Sequence, residues 1–136
     1  MKFLVDANVL SEPTRLRPQP RVVAWLRENE SELAVNPVIL GELEYGILLL
    51  PPGRRRTQLQ QWFADVADRV RILDVDVKTA SEWARLLAEM RGKGLAMPVK
   101  DSLIAASALA HRLIVATRNT RDFQNAAVRL VNPFGD

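Results

Sequence analysis

Hydrophobic and polar positions alternate between two periods along the 136-residue chain. Short apolar runs that read as buried strands lie at Lys2 to Val5, Leu33 to Val35, Val70 to Leu73, Leu113 to Ala116 and Val128 to Val131. Between them apolar residues recur at helical spacing. Arg21 to Asn29 carries Val22, Val23, Trp25 and Leu26, and Arg54 to Asp68 has Leu59, Trp62, Phe63 and Val66 on one face. Asp76 to Arg91 turns Ala80, Trp83, Leu86, Leu87 and Met90 inward, and Gly92 and Gly94 end it. Pro37 sits at the first turn of a helix running to about Leu50, where Pro51-Pro52-Gly53 stops it. Pro98 to His111 is a further helix and Thr120 to Phe123 a single turn. Ser11 to Pro20 is short helical or irregular, punctuated by Pro18 and Pro20.

Short apolar strands separated by helices predict an α/β sandwich around a mostly parallel, buried, five-stranded sheet. The length, residues 1–136, is room for one domain. A chain this long buries roughly 68% of its unfolded surface, so it needs no disulfide or structural metal to fold. Ligands of such sheets bind at the carboxyl ends of the strands, which says where to look for chemistry.

The rare residues narrow that chemistry. There is no Cys and one His, His111, which removes Cys/His zinc sites, redox dithiols and cysteine nucleophiles. A serine triad would depend on His111 alone, and Ser11 and Ser102 do not complete one. Any metal must be held by oxygen. Basic residues outnumber acidic ones 19 to 16, and 15 of the 19 are Arg, a balance that suits a polyanionic partner. The apolar runs are too short to span a membrane, and Asp6 falls where a signal peptide would still be apolar, so a cytoplasmic location is expected.

Most acids fall on loops or polar helix faces, but five, at four places, stand apart. Asp6 follows Phe3-Leu4-Val5 at a strand end, where it either turns back on its own backbone or points into the ligand crevice. Glu42 and Glu44 interrupt a helix that is apolar nearly all round and therefore reads as buried; helical spacing does not choose between them. Asp101 lies in the first turn after Pro98, where it favours the helix dipole, ahead of the apolar run Leu103 to Ala110. Asp122 follows the strand ending at Ala116. Carboxylates converging on one sheet edge would repel without a cation, so the pattern suits Mg²⁺ or Mn²⁺ and metal-assisted attack of water on a phosphodiester.

These residues form a recognisable pattern. Phe-Leu-Val-Asp-Ala-Asn-Val-Leu-Ser-Glu-Pro from Phe3 is followed by Gly-Glu-Leu-Glu-Tyr-Gly-Ile from Gly41 and Leu-Pro-Pro-Gly-Arg-Arg-Arg from Leu50. Lys-Asp-Ser-Leu-Ile-Ala-Ala-Ser-Ala from Lys100, Ala-Thr-Arg-Asn-Thr-Arg-Asp-Phe from Ala116 and Val-Asn-Pro-Phe from Val131 complete it. In order and spacing through nearly the whole chain, the sequence resembles PIN-domain ribonucleases, in particular VapC-type toxins of toxin–antitoxin pairs and most closely their FitB-like branch. The resemblance implies a three-layer α/β/α sandwich. It also implies an acidic quartet at Asp6, Glu42, Asp101 and Asp122, with Asn8 and Asn119 in supporting polar positions. It thereby selects Glu42 over Glu44. It further implies Mg²⁺ or Mn²⁺ on these acids, endoribonuclease activity on structured RNA, a homodimer, and a cognate antitoxin that covers the site.

Two positions depart from the family. Ala7 stands where Thr usually follows the first Asp, and Ile39 where a hydroxyl residue usually precedes the helix Glu by three. Both hydroxyls would lie near the metal's ligands, so these departures bear on metal affinity and turnover and leave the quartet intact. Arg118, beside the proposed site, is the candidate for RNA phosphate contact. Arg54-Arg55-Arg56 is either an RNA or antitoxin contact or a solvated helix start. Two alternatives stand beside this reading. In one, a PIN-like module binds RNA or antitoxin without catalysis. In the other, Asp6 is a phosphorylated nucleophile; there Asn8 occupies the position where a phosphatase of that kind needs a second Asp.

Overall fold

The chain's fold is given by a computed structural model that describes residues 1–135. Five strands, β1 (Phe3–Val5), β2 (Leu33–Val35), β3 (Arg71–Ile72), β4 (Ile114–Ala116) and β5 (Leu130–Val131), form one sheet in the order β3-β2-β1-β4-β5. Every pairing is parallel, with Phe3 opposite Leu33 on one side and Ile114 on the other. The helices are α1 (Ala7–Leu10), α2 (Pro20–Glu28), α3 (Pro37–Leu48), α4 (Arg54–Arg69), α5 (Val77–Gly92), α6 (Val99–His111) and α7 (Thr120–Phe123), with 3-10 turns at Glu12–Thr14 and Glu30–Glu32.

Successive strand residues point to opposite faces, and all three residues of β1 are buried, so helices cover both sides of the sheet centre. Leu4, Val5, Ala34, Val35, Val115 and Ala116 have no exposed surface. α6 packs closely on α5 and on β4, and its alanines at 105, 106, 108 and 110 are buried. On the other side of β1, the Phe3 ring meets Trp25 of α2 edge-on at 4.9 Å.

The expected strands and helices all form, with ends shifted by a residue or a few. β3 is shorter than its apolar run because Arg71 and Ile72 lie exposed at the sheet edge. Gly94, at φ +69, lets the chain leave α5, and Leu95 N–H reaches back to the Met90 carbonyl at 2.8 Å. α1, a single turn capped by Asp6, has no counterpart in the hydrophobic pattern. α3 corrects the expectation of a helix buried all round. Ile39, Leu43 and Ile47 form its buried stripe, whereas Tyr45, Leu48 and Leu49 are 64%, 48% and 67% exposed. Apolarity on every side of α3 therefore marks one core face and one apolar surface.

The chain runs outward from β1 through β2 to β3, then crosses to β4 on the opposite side. The crevice of a parallel sheet opens at such a reversal. Here it lies between the ends of β1 and β4, at Asp6 and Thr117, where Asp6 N–H donates to the Ala116 carbonyl at 2.9 Å.

Candidate active site

Asp6 is only 1% exposed, and its carboxylate accepts three hydrogen bonds. Oδ1 accepts the N–H of Ala7 at 2.9 Å. Oδ2 accepts the Thr117 hydroxyl at 2.7 Å and the Asn8 amide at 3.3 Å. Asp6 thus bonds the backbone of the next residue and lies at the end of β1 beside β4. Asn8 Oδ1 in turn accepts the N–H of Arg118 at 3.1 Å, and Thr117 Oγ1 accepts that of Asn119 at 3.0 Å. This small network fixes the rotamer of Asp6 and the path of the loop after β4.

Glu42 reaches the same edge from α3. Asn36 caps that helix by accepting the Ile39 N–H at 2.9 Å, and its amide donates to Ser107 Oγ on α6 at 2.9 Å. Both partners are fully buried, so the bond sets α3 against α6 and Glu42 toward Asp101. Glu44 is exposed. Asp101, 5% exposed, lies in the first turn of α6. Its neighbour Lys100 places Nζ 2.9 Å from Glu42 Oε2 and 3.6 Å from Asp101 Oδ1. Glu42 Oε2 is buried, and the Lys100 ammonium balances its charge at close range.

The electrostatics show that the four acids share one field. Burial pushes the Asp101 carboxyl above its ordinary range; the Lys100 ammonium opposes this, and the charges of Asp6, Asp122 and Glu42 add to the rise. Burial alone would lower Lys100, but the Glu42 carboxylate, then Asp101 and Asp6, reverse that and hold the ammonium above the ordinary lysine value. Asp122 is exposed at the rim, in the one-turn helix α7. Among the described residues no three Asp, Glu or His side chains are gathered tightly enough to enclose an ion. Glu42 and Asp101 meet through Lys100, while Asp6 and Asp122 act on Asp101 through their charge.

The donor set still fits a hard divalent cation. It is all oxygen, its charges are crowded, and buried Glu42 Oε2 has no protein partner but the Lys100 ammonium. Beside it, Arg118 lies with Arg15, Arg17 and Arg55 along a cleft of about 650 Å³, where Glu12 is the single acid. The Arg118 guanidinium stacks 4.7 Å from the centre of the Phe134 ring, and Arg55 donates to the Thr14 carbonyl.

Thr117 and Lys100 were within the quoted sequence pattern but had no assigned role. Thr117 follows a buried strand adjoining β1, so the strand-end rule that singled out Asp6 applies to it equally. Lys100 carried no comparable signal, because its partner Glu42 lies on a different helix.

The PIN domain profile matches residues 3–129. The chain belongs to the PIN-domain family. This PIN domain is 35% identical to Toxin FitB of Neisseria gonorrhoeae over 98% of the chain and 99% of that protein. It is 33% identical to VapC ribonuclease Y4jK of Sinorhizobium fredii, over 97% of each. Among solved structures, FitAB bound to a DNA fragment superposes with a TM-score of 0.88 at 32% identity, covering 98% of this chain and 96% of that one. VapBC-5 of Mycobacterium tuberculosis, a member of the VapBC family of toxin–antitoxin systems, gives 0.64 at 32% identity over 74% and 81%.

Proposed function

We propose that this PIN domain is a metal-dependent endoribonuclease, the toxin of a toxin–antitoxin pair. The observation that carries the reading is that Asp101 shares the Lys100 ammonium with Glu42 and feels the charges of Asp6, at the β1–β4 reversal, and Asp122. Its similarity to a VapC ribonuclease, to Toxin FitB and to a VapBC toxin–antitoxin structure supports the substrate and the partner.

Asp6, Glu42, Asp101 and Asp122 would hold Mg²⁺ or Mn²⁺, partly through water. When bound, the ion supplies electrophilic stabilisation of the phosphoryl oxygens and a more acidic water. The chain's own residues do the rest. Thr117, Asn8 and the Ala7 N–H hold Asp6 in one orientation, so little reorganisation is needed when charge develops nearby. One of the four carboxylates would also take the proton from the attacking water. Asn119 stands beside Asp122 at the rim, and Arg118 with Arg15, Arg17 and Arg55 offers guanidinium groups to the flanking phosphates.

Thr117 also bears on the missing family hydroxyl at Ala7. It brings a hydroxyl to Asp6 from the neighbouring strand instead. No described helix is long and apolar enough to cross a membrane. A homodimer and a cognate antitoxin belong to the same reading, and both work in the cytoplasm. The exposed Tyr45, Leu48 and Leu49 on α3 provide apolar surface for such a contact.

The test is incubation of the purified, antitoxin-free chain with total RNA, in Mn²⁺ or EDTA, beside Asp6→Asn. Cleavage that needs metal and is abolished in Asp6→Asn is the expected result. RNA binding without cleavage would instead favour a non-catalytic module, and acyl-phosphate labelling at Asp6 a phosphotransfer domain.

A further inference from the structure

Lys100 is the one basic side chain, among the described residues, that pairs with Glu42 or Asp101. Its ammonium bridges two helices: Glu42 belongs to α3 and Asp101 to α6. It also takes up the buried Glu42 oxygen that has no other protein partner. A divalent ion held by that oxygen would draw on the negative charge that the ammonium, 2.9 Å away, neutralises. The two cations therefore compete. The lysine can yield, because its side chain is 41% exposed and has a flexible four-carbon stem leading to solvent.

The geometry points to Lys100 as a tethered counter-cation that occupies the carboxylate site of the free protein and competes with the divalent ion for Glu42 and Asp101. This inference rests on the metal reading above and deepens it. Without the metal, Lys100 holds the α3 and α6 carboxylates together against their repulsion. When the metal binds, the ammonium gives up these contacts, so part of the ion's binding free energy goes into breaking the two ion pairs. Lys100 is thus a positioning residue that sets how much divalent ion is needed to load the site.

The experiment is calorimetric titration of the antitoxin-free chain with Mn²⁺, comparing wild type with Lys100→Met and Lys100→Arg, each with its thermal melt in EDTA and in saturating Mn²⁺. Methionine keeps the unbranched stem and removes the charge. Lys100→Met is expected to bind Mn²⁺ about fivefold more tightly, the upper end for a partly exposed ion pair. It should melt lower than wild type in EDTA and gain more from Mn²⁺. Lys100→Arg keeps the competing charge and should bind close to wild type. Equal or weaker Mn²⁺ affinity in a folded Lys100→Met, with wild type binding the ion, overturns the competitor role alone. If neither protein binds Mn²⁺, the metal reading fails and this inference falls with it.

Discussion

Replacing Thr117 with valine tests the network that holds Asp6. The two side chains have nearly the same shape, so the substitution opens no cavity and removes one hydroxyl. That hydroxyl makes the 2.7 Å bond to Asp6 Oδ2, a charge-assisted contact between groups that are 0% and 1% exposed. A hydrogen bond to a buried charged group contributes about 1.5–3 kcal/mol. In the variant Oδ2 keeps only the longer Asn8 contact at 3.3 Å, which replaces little of the loss. The Asn119 N–H also loses its acceptor, but Asn119 is exposed and water can take over. The expected destabilisation is therefore about 2–3 kcal/mol, a fall in Tm of roughly 6–12 °C for a domain of this size. Thermal and urea melts in EDTA read it without any involvement of metal or RNA. Thr117→Ser keeps the hydroxyl and should lose less. A double-mutant cycle with Asp6→Asn should show coupling of more than about 1 kcal/mol. A Thr117→Val protein as stable as wild type, or no more damaged than Thr117→Ser, would refute the claim that this bond holds Asp6.

Asp101→Asn addresses pH. A carboxyl whose value is raised by folding stabilises the fold fully only below its ordinary value of 3.8, and that contribution is lost as pH rises through the folded value. The metal-free variant should therefore melt above wild type at neutral pH, the gain should shrink in acid, and Mn²⁺ should no longer stabilise it; a lower melting point throughout would contradict this. Glu42→Gln should cut RNA cleavage by at least about 100-fold while Glu44→Gln leaves it within about twofold, since only Glu42 reaches the acids; equal losses in single-turnover assays would refute the assignment. Arg17→Gln and Arg55→Gln should each weaken RNA binding in EDTA and reduce the salt slope by about 0.7, the value for one phosphate of a single strand. An unchanged slope would show that the arginine cleft does not follow the RNA.

How much of this was legible in the sequence depended on whether a residue's role was local. Asp6 could be found because three buried residues precede it and because the end of a central parallel strand is a ligand position wherever the chain goes next. The strands and long helices were legible for the same reason, since their periods are written in adjacent residues. The choice between Glu42 and Glu44 was not local. α3 carries apolar side chains both toward the core, at Ile39, Leu43 and Ile47, and toward solvent, at Tyr45, Leu48 and Leu49, so periodicity could not tell its inside from its outside. Family likeness selected Glu42, and the physical reason is the buried Asn36–Ser107 bond, between residues 71 positions apart, that turns α3 against α6. Thr117 and Asp6 are separated by 111 positions, and Lys100 meets Glu42 only after two helices and a strand have packed between them in the chain. Single polar residues have no period, and their partners are fixed by topology rather than spacing. The acids that carry the proposed chemistry were therefore readable one by one. The groups that orient and neutralise them became visible only when the β1–β4 reversal brought their partners together.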